Sequence, residues 1–342
     1  LIVRELERVR ELLHLTPEEE KAFKEVVPVY PFSSTLYYLK LAVGSSPVRK
    51  MLLPSLKEID GEVQKGGLDD PLNEEGDKKT PFLTHRYPDR VLIVTTNYCP
   101  VLCRYCMRKR NWKKGTFVIP DEEIESALSY IRNNPRIRDV LISGGEPLFL
   151  PLEKLERLLT GLKRIETVEV VRIGTRLPVV EPQKVLRREL LEIIEKAEKV
   201  WINTHFNHPD EVTAEAREAC LALLKAGAPV NNQTVLLKGV NDSVETLEEL
   251  FRSLQKIKVR PYYLFHCDPV RGVMHFSTPI TKGLEIVREL FRRISPLAIP
   301  YYAVDGPGGY GKVPMLPQRF KKEGEYYTFE SYDGRTFTMA DR

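Results

Sequence analysis

A chain of 342 residues exceeds the usual single-domain length, yet α/β barrels reach about 250 residues as one unit, so one large domain with additions fits. Its 42% hydrophobic residues are ample for a core, and 52 Lys and Arg against 48 Asp and Glu is too even a balance to point to nucleic acid or an anionic membrane. Five cysteines, three of them clustered, do not make a disulfide framework; with no apolar run approaching about 18 residues, and charges in Leu1-Ile2-Val3-Arg4-Glu5 where a signal peptide is apolar, a soluble cytoplasmic protein is expected.

Residues 1–58 read as helices. Leu1, Val3, Leu6, Val9, Leu12 and Leu13 recur near helical spacing, and Thr16-Pro17-Glu18-Glu19 combines a capping box with proline at the first helical position. Residues 59–81 are rich in Gly, Asp, Glu and Lys without periodicity, which predicts an exposed linker. From Arg90 short β-rich runs alternate with amphipathic segments. Strands are predicted at 91–96, 139–142, 168–173, 199–203, 230–236 and 260–265, and helices at 121–132, 153–164, 183–197, 214–226, 244–256 and 280–293. Asp121 is placed to cap the first of these helices, and Thr213 with Gly227 brackets the fourth as N-cap and C′ residue.

Six β/α repeats imply parallel strands joined by right-handed crossovers, the pattern of a partial (β/α)6 barrel. The expected division is a helical arm and linker at 1–89, the barrel at 90–295 and a C-terminal segment at 296–342. In that last segment Tyr326-Tyr327-Thr328-Phe329 and Thr336-Phe337-Thr338-Met339 flank Asp333-Gly334 as a hairpin.

Chemistry in such barrels sits at the C-terminal ends of the strands, so the polar residues there are the informative ones. Cys99, Cys103 and Cys106 follow the first strand with CxxxCxxC spacing. Three thiolates on one loop suit a [4Fe-4S] cluster and leave one iron without a protein ligand. A structural zinc site needs four ligands, usually in two pairs, and the chain has no second CxxC and no HxxxH. Gly144-Gly145-Glu146-Pro147 after the second strand is either an ordinary turn or a place where backbone approaches a polar ligand and Glu146 accepts from an ammonium. Gly174-Thr175-Arg176 follows the third strand and Asn203-Thr204-His205 the fourth; Asn232-Gln233 lies in the fifth, and His266-Cys267-Asp268 closes the sixth. His205 and His208 suit metal ligation or hydrogen bonding, and Cys220 has the spacing of a core residue.

Gly306 through Lys312 fits GxxxxGK, but Val313 stands where a P-loop needs Ser or Thr, and Pro314 opposes the helix that should follow. A glycine-rich loop presenting one lysine suits an amine that forms a Schiff base. Arg86 and Arg90, in His85-Arg86-Tyr87-Pro88-Asp89-Arg90, make either a surface salt-bridge patch or a phosphate clamp. Asp268 and Asp305 fall where strands should end, as solvated turn residues or as a pair for a ligand ammonium.

From about Pro47 to Pro317 the sequence resembles the lysine 2,3-aminomutase family of radical S-adenosylmethionine (SAM) enzymes. The resemblance is carried by His85 to Val91, Cys99 to Arg110, Ser143 to Glu146, Val171 to Gly174, Asn203 to Pro209, Asn232-Gln233, Cys267-Asp268, His275-Phe276 and Val304 to Pro314. It implies a radical SAM barrel with a C-terminal segment that carries pyridoxal 5′-phosphate (PLP) on Lys312. Cys99, Cys103 and Cys106 would hold the [4Fe-4S] cluster, and Gly144, Gly145, Glu146, Arg176 and His205 would contact SAM. Arg86, Arg90 and Gln233 match contacts to the PLP phosphate, Arg108 a contact to the substrate carboxylate, and Asp268 and Asp305 the pair holding the substrate's side-chain ammonium.

The activity implied is interconversion of L-lysine and β-lysine by migration of the amino group from C2 to C3. SAM cleavage would supply a 5′-deoxyadenosyl radical, and PLP would stabilise the migrating centre. A cellular electron donor such as flavodoxin or ferredoxin and a homo-oligomer are also implied, although Ser243 stands where clostridial members carry a cysteine for intersubunit zinc. Two carboxylates would repel a third, so Asp268 and Asp305 favour lysine over glutamate. Another substrate in the same family, glutamate or a lysine of elongation factor P, is the alternative enzyme, and an iron-sulfur or zinc binding protein the alternative outside catalysis.

Overall fold

The computed structural model describes residues 1–341. Its centre is one ten-stranded sheet. In chain order the strands are β1 (Lys78–Thr80), β2 (Leu83–Tyr87), β3 (Arg90–Val94), β4 (Asp139–Ser143), β5 (Val170–Gly174), β6 (Val200–Thr204), β7 (Val230–Leu236), β8 (Arg260–His266), β9 (Tyr301–Gly306) and β10 (Gly311–Met315). Spatial order equals chain order, so every neighbour in sequence is a neighbour in the sheet. Strands β3 to β9 run parallel, and antiparallel strands flank them at both edges.

The six β/α repeats expected from the sequence are present, with helices α1 (Asp121–Arg132), α2 (Leu152–Lys163), α3 (Arg188–Ala197), α4 (Ala214–Lys225), α5 (Val244–Lys256) and α6 (Ile280–Arg293). A seventh parallel strand, β9, extends the barrel beyond them and carries Asp305 into the same sheet. Burial explains the strand pattern. In β3, β4 and β5 the alternate residues Val91, Ile93, Val140, Ile142, Val171 and Ile173 are buried, while the intervening positions are half-buried and include the ion pair Arg172 to Asp139 at 2.8 Å. One face of the sheet packs on the helices and the other lines a polar bore.

Two local expectations need correction. Helix α1 begins at Asp121 itself behind Pro120, and Asp121 pairs with Lys154 and Arg157 across to α2 instead of capping. The predicted helix 183–197 is interrupted at Leu186-Arg187, where the short helical turn Pro182–Val185 ends and before α3 starts at Arg188. Thr213 does cap α4, accepting from Ala216 N, and Gly227 follows it at φ +82°.

The N-terminal arm holds helices at Leu6–Arg10, Pro17–Val26, Leu36–Gly44 and Ser46–Leu52, and Thr16 and Glu19 form the expected capping box. Tyr38, Leu39, Met51 and Leu52 are fully buried in the core shared with the barrel. The segment read as an exposed linker is instead a strap tied to the C-terminal rim of the sheet. Leu68 N donates to Pro269 O at 2.8 Å, Arg271 N to Leu68 O at 2.9 Å, Gly308 N to Pro71 O at 2.7 Å, and Arg86 Nε to Asp77 Oδ2 at 2.6 Å.

The sheet does not close by a strand ladder, since β1 and β10 remain its edges. Its two sides meet through Tyr87, whose hydroxyl accepts from Lys312 N at 2.8 Å while Arg90 stacks on its ring at 4.0 Å. Beyond β10 the strands Phe320–Glu323, Tyr326–Glu330 and Thr336–Ala340 form a separate antiparallel sheet, whose second hairpin turns at Asp333-Gly334 as expected. Among the described residues no helix is long and apolar enough to cross a membrane.

Candidate active site

The cysteine loop and the glycine turn are built against each other. A Cβ at Gly144, which lies at φ +137°, would stand 2.3 Å from Thr96 O, and one at Gly145 would stand 2.1 Å from Tyr98 O. Absence of side chains lets Gly145 N bond Thr96 O and Glu146 N bond Tyr98 O at 2.7 Å, fixing the start of the loop. The glycines' close approach is thus to the chain's own backbone. Cys99, Cys103 and Cys106 are free and half-buried, and Cys106 N closes a turn on Cys103 O at 2.9 Å. Burial, and then Cys103, pushes the Cys106 thiol up to about 11; burial, and then Cys106 and Cys103, holds the Cys99 thiol well above the usual thiol range.

The loop is clamped from beneath by a fully buried triad. Glu58 accepts from Arg104 Nε at 2.9 Å and from Lys109 Nζ at 2.6 Å, and Lys109 Nζ also donates to Arg104 O and Gly272 O.

Arg176, after β5, reaches the loop: Nη1 donates to Cys103 Sγ at 2.8 Å, Nη2 to Tyr38 OH at 2.7 Å and to Glu211, and Nε to His205 O at 3.2 Å. Tyr38 and Glu211 were not singled out from sequence, because their partner lies more than a hundred residues from Tyr38. Glu146 is buried; Oε1 accepts from Thr175 Oγ1 at 2.5 Å and Leu148 N at 3.2 Å, and Oε2 from Arg176 N at 2.8 Å. Burial nevertheless pushes its carboxyl up to about 7. His205 stacks on Tyr105 at 5.6 Å, and burial, with the charge of Arg176, holds it neutral by lowering its pKa to about 3. Tyr105 OH, Asn203 Nδ2 and Thr204 Oγ1, at this same rim, are buried without a hydrogen-bond partner. Among the described residues no set of three His, Cys, Asp or Glu side chains is gathered for a single metal ion.

Lys312 stands directly opposite Asp305 in the β9–β10 hairpin, and its Nζ lies 3.1 Å from both Asp305 oxygens. Register alone brings them together. The GxxxxGK stretch is therefore a hairpin turn, with Gly308, Gly309 and Gly311 all at positive φ. Asp268, just past β8, is pushed up to about 7 by burial and by Asp305, against the opposing charges of Lys312 and Arg108. Arg108 binds Glu74 of the strap through Nε at 3.1 and 3.0 Å and Nη2 at 2.6 Å. Arg86 is held by Asp77 and by Leu72 O close to Gly309, whereas Arg90 sits on Tyr87. Gln233 lies within β7 opposite Tyr263, its backbone bonded to His205. Arg108, Asp268, Asp305 and Lys312 form one charged cluster, with Arg86, Tyr87 and Arg90 at its side.

Residues 93–254 match the radical SAM superfamily. The chain is 53% identical to a putative L-lysine 2,3-aminomutase of Aquifex aeolicus, over 97% of this chain and 90% of that one. The chain belongs to the lysine 2,3-aminomutase family. Within it, L-lysine 2,3-aminomutase of Clostridium subterminale is 44% identical over 91% of this chain and 75% of its own, and glutamate 2,3-aminomutase of Clostridioides difficile is 38% identical over 99% and 80%. Membership of the radical SAM superfamily implies a [4Fe-4S] cluster and SAM. Ser243 accepts from Thr246 N as the N-cap of α5.

Proposed function

We propose that the chain is an L-lysine 2,3-aminomutase, an isomerase interconverting L-lysine and β-lysine with SAM, a [4Fe-4S] cluster and PLP. The observation that carries the choice of substrate is the carboxylate pair Asp268 and Asp305, set beside Lys312 at the rim of the bore. Two carboxylates favour a side-chain ammonium and oppose a second substrate carboxylate.

Cys99, Cys103 and Cys106 would hold the cluster: burial disfavours the free thiolates of Cys99 and Cys106, and cationic iron would offset that cost. Orphaned polar atoms of Tyr105, Asn203 and Thr204 at the same rim fit a polar ligand such as SAM, with Gly144, Gly145 and Glu146 shaping its wall and Arg176 and His205 beside it. Lys312 would hold PLP, with Arg86, Arg90 and Gln233 on its phosphate; Arg86 beside the glycine turn of the Lys312 hairpin supports that placement. When bound, the cluster and SAM supply a carbon radical and PLP an unsaturated nitrogen through which an amino group can migrate.

The chain's own part is orientation. Arg108 anchors the α-carboxylate and the aspartates the distal ammonium, which fixes C3 of lysine along the line between them. An electron donor and assembly into a homo-oligomer belong to the same reading.

The test is anaerobic. Protein reconstituted with iron and sulfide is given PLP, SAM, dithionite and either L-lysine or L-glutamate, and products are read by mass spectrometry. β-Lysine from lysine, with no β-glutamate, is expected; SAM cleavage with lysine untouched would refute the substrate.

A further inference from the structure

Glu74 is a buried carboxylate that the proposed chemistry leaves without a task. It sits on the strap, and its two oxygens take four N–H contacts: Oε1 from Arg108 Nε at 3.1 Å and Nη2 at 2.6 Å, Oε2 from Arg108 Nε at 3.0 Å and Arg110 Nη2 at 2.9 Å. That fills the acceptor capacity of a carboxylate. The strap on either side is pinned, by Pro71 O to Gly308 N of the Lys312 hairpin and by Asp77 to Arg86 of β2. Glu74 therefore does not swing away to admit a ligand.

A guanidinium offers a carboxylate two bidentate edges, Nε with Nη2 and Nη1 with Nη2. Glu74 occupies the first. We infer that Glu74 is a positioning residue for substrate binding: by holding the Nε edge of Arg108 it turns the Nη1–Nη2 edge toward the charged cluster, where it receives the α-carboxylate. Arg110 fixes Glu74 in turn, itself 3.2 Å from Asp70. The chain of contacts is Asp70, Arg110, Glu74, Arg108, and then ligand. Without the carboxylate, Arg108 keeps its charge but loses its direction, and a flexible arginine must be ordered when each substrate binds.

The inference rests on Arg108 as the holder of the substrate carboxylate, and the experiment separates the two. Reconstituted holoenzyme is assayed anaerobically for the KM and kcat of L-lysine as wild type, Glu74→Gln, Glu74→Asp and Arg108→Gln, and L-lysinamide, which lacks the anionic carboxylate, is measured as a competitive inhibitor. Expected for Glu74→Gln is an increase in KM of about tenfold, larger than the fall in kcat, with the inhibition constant of lysinamide within about twofold of wild type. Loss of lysine and lysinamide affinity in parallel would make Glu74 merely structural and overturn the inference, as would an unchanged KM while Arg108→Gln raises it. An unchanged KM in Arg108→Gln would instead remove the assignment of Arg108 on which the inference stands. Should Glu74→Gln fail to fold, Glu74→Asp decides: its shorter carboxylate pulls the guanidinium out of line, so a raised lysine KM with unaltered lysinamide inhibition is expected, and wild-type values for both would overturn the inference.

Discussion

Replacing Asp305 with Asn tests the ammonium pocket directly. Asp305 is only 9% exposed, and both its oxygens lie 3.1 Å from a lysine ammonium, so the structure already shows it accepting the kind of group the substrate would present. A hydrogen bond to a charged partner is worth roughly 1.5–3 kcal/mol. Asn keeps the shape and one acceptor but loses the charge, and at about 1.4 kcal/mol per decade the apparent KM for L-lysine should rise roughly 10- to 150-fold. The assay is β-lysine formation by the anaerobically reconstituted variant, with PLP occupancy read by absorbance so that a change at Lys312 is not mistaken for one in substrate affinity. A wild-type KM in fully PLP-loaded Asp305→Asn protein would refute the assignment of the pair.

Four other outcomes are expected. Asp268 must give up its proton to receive an ammonium, and with its pKa at about 7 the lysine KM should fall as pH rises from 6 to 8, levelling above the transition; a KM flat across that range would contradict it. The same elevated pKa means that the folded form holds a proton the unfolded chain has released, so stability from this group is present below the ordinary aspartate range and is lost as pH rises through about 7. Gly144→Ala puts a Cβ against Thr96 O in a backbone region strained for alanine, and should cost about 1–3 kcal/mol and reduce the iron bound after reconstitution, read by thermal melting and iron analysis. Glu211 accepts from Arg176, Tyr38 OH, Asn207 N and His208 N in full burial, so Glu211→Gln should lower stability by about 3–5 kcal/mol in chemical denaturation.

Much of the fold was legible because its signals are local. Alternating apolar residues mark β3 to β5, Thr16 and Thr213 announce their helices, and the cysteine spacing sits where a barrel strand ends. The strap was not legible. Asp69, Asp70, Glu74 and Asp77 look like solvated linker residues until Arg271, Arg110, Arg108 and Arg86 are brought beside them by the fold. Composition records the charges but not their partners. Strand β9 escaped for a related reason: Tyr301 to Gly306 was read with the segment that follows it, and only pairing with β8 makes it the seventh parallel strand. Asp305 and Lys312 were each found as candidates, yet their direct contact depends on the register of the β9–β10 hairpin, which a glycine-rich sequence leaves open.

The sheet that stays open also has to avoid recruiting neighbours. Its outer strands carry exposed Lys78 and Lys79 on one side and Lys312 with Pro314 on the other. Adding a foreign strand to either border would bury lysine charge or meet a proline with no N–H to offer, so each border resists edge-to-edge aggregation. The lysine proposed for chemistry thus stands on a border strand that is itself poorly suited to pairing with a foreign strand.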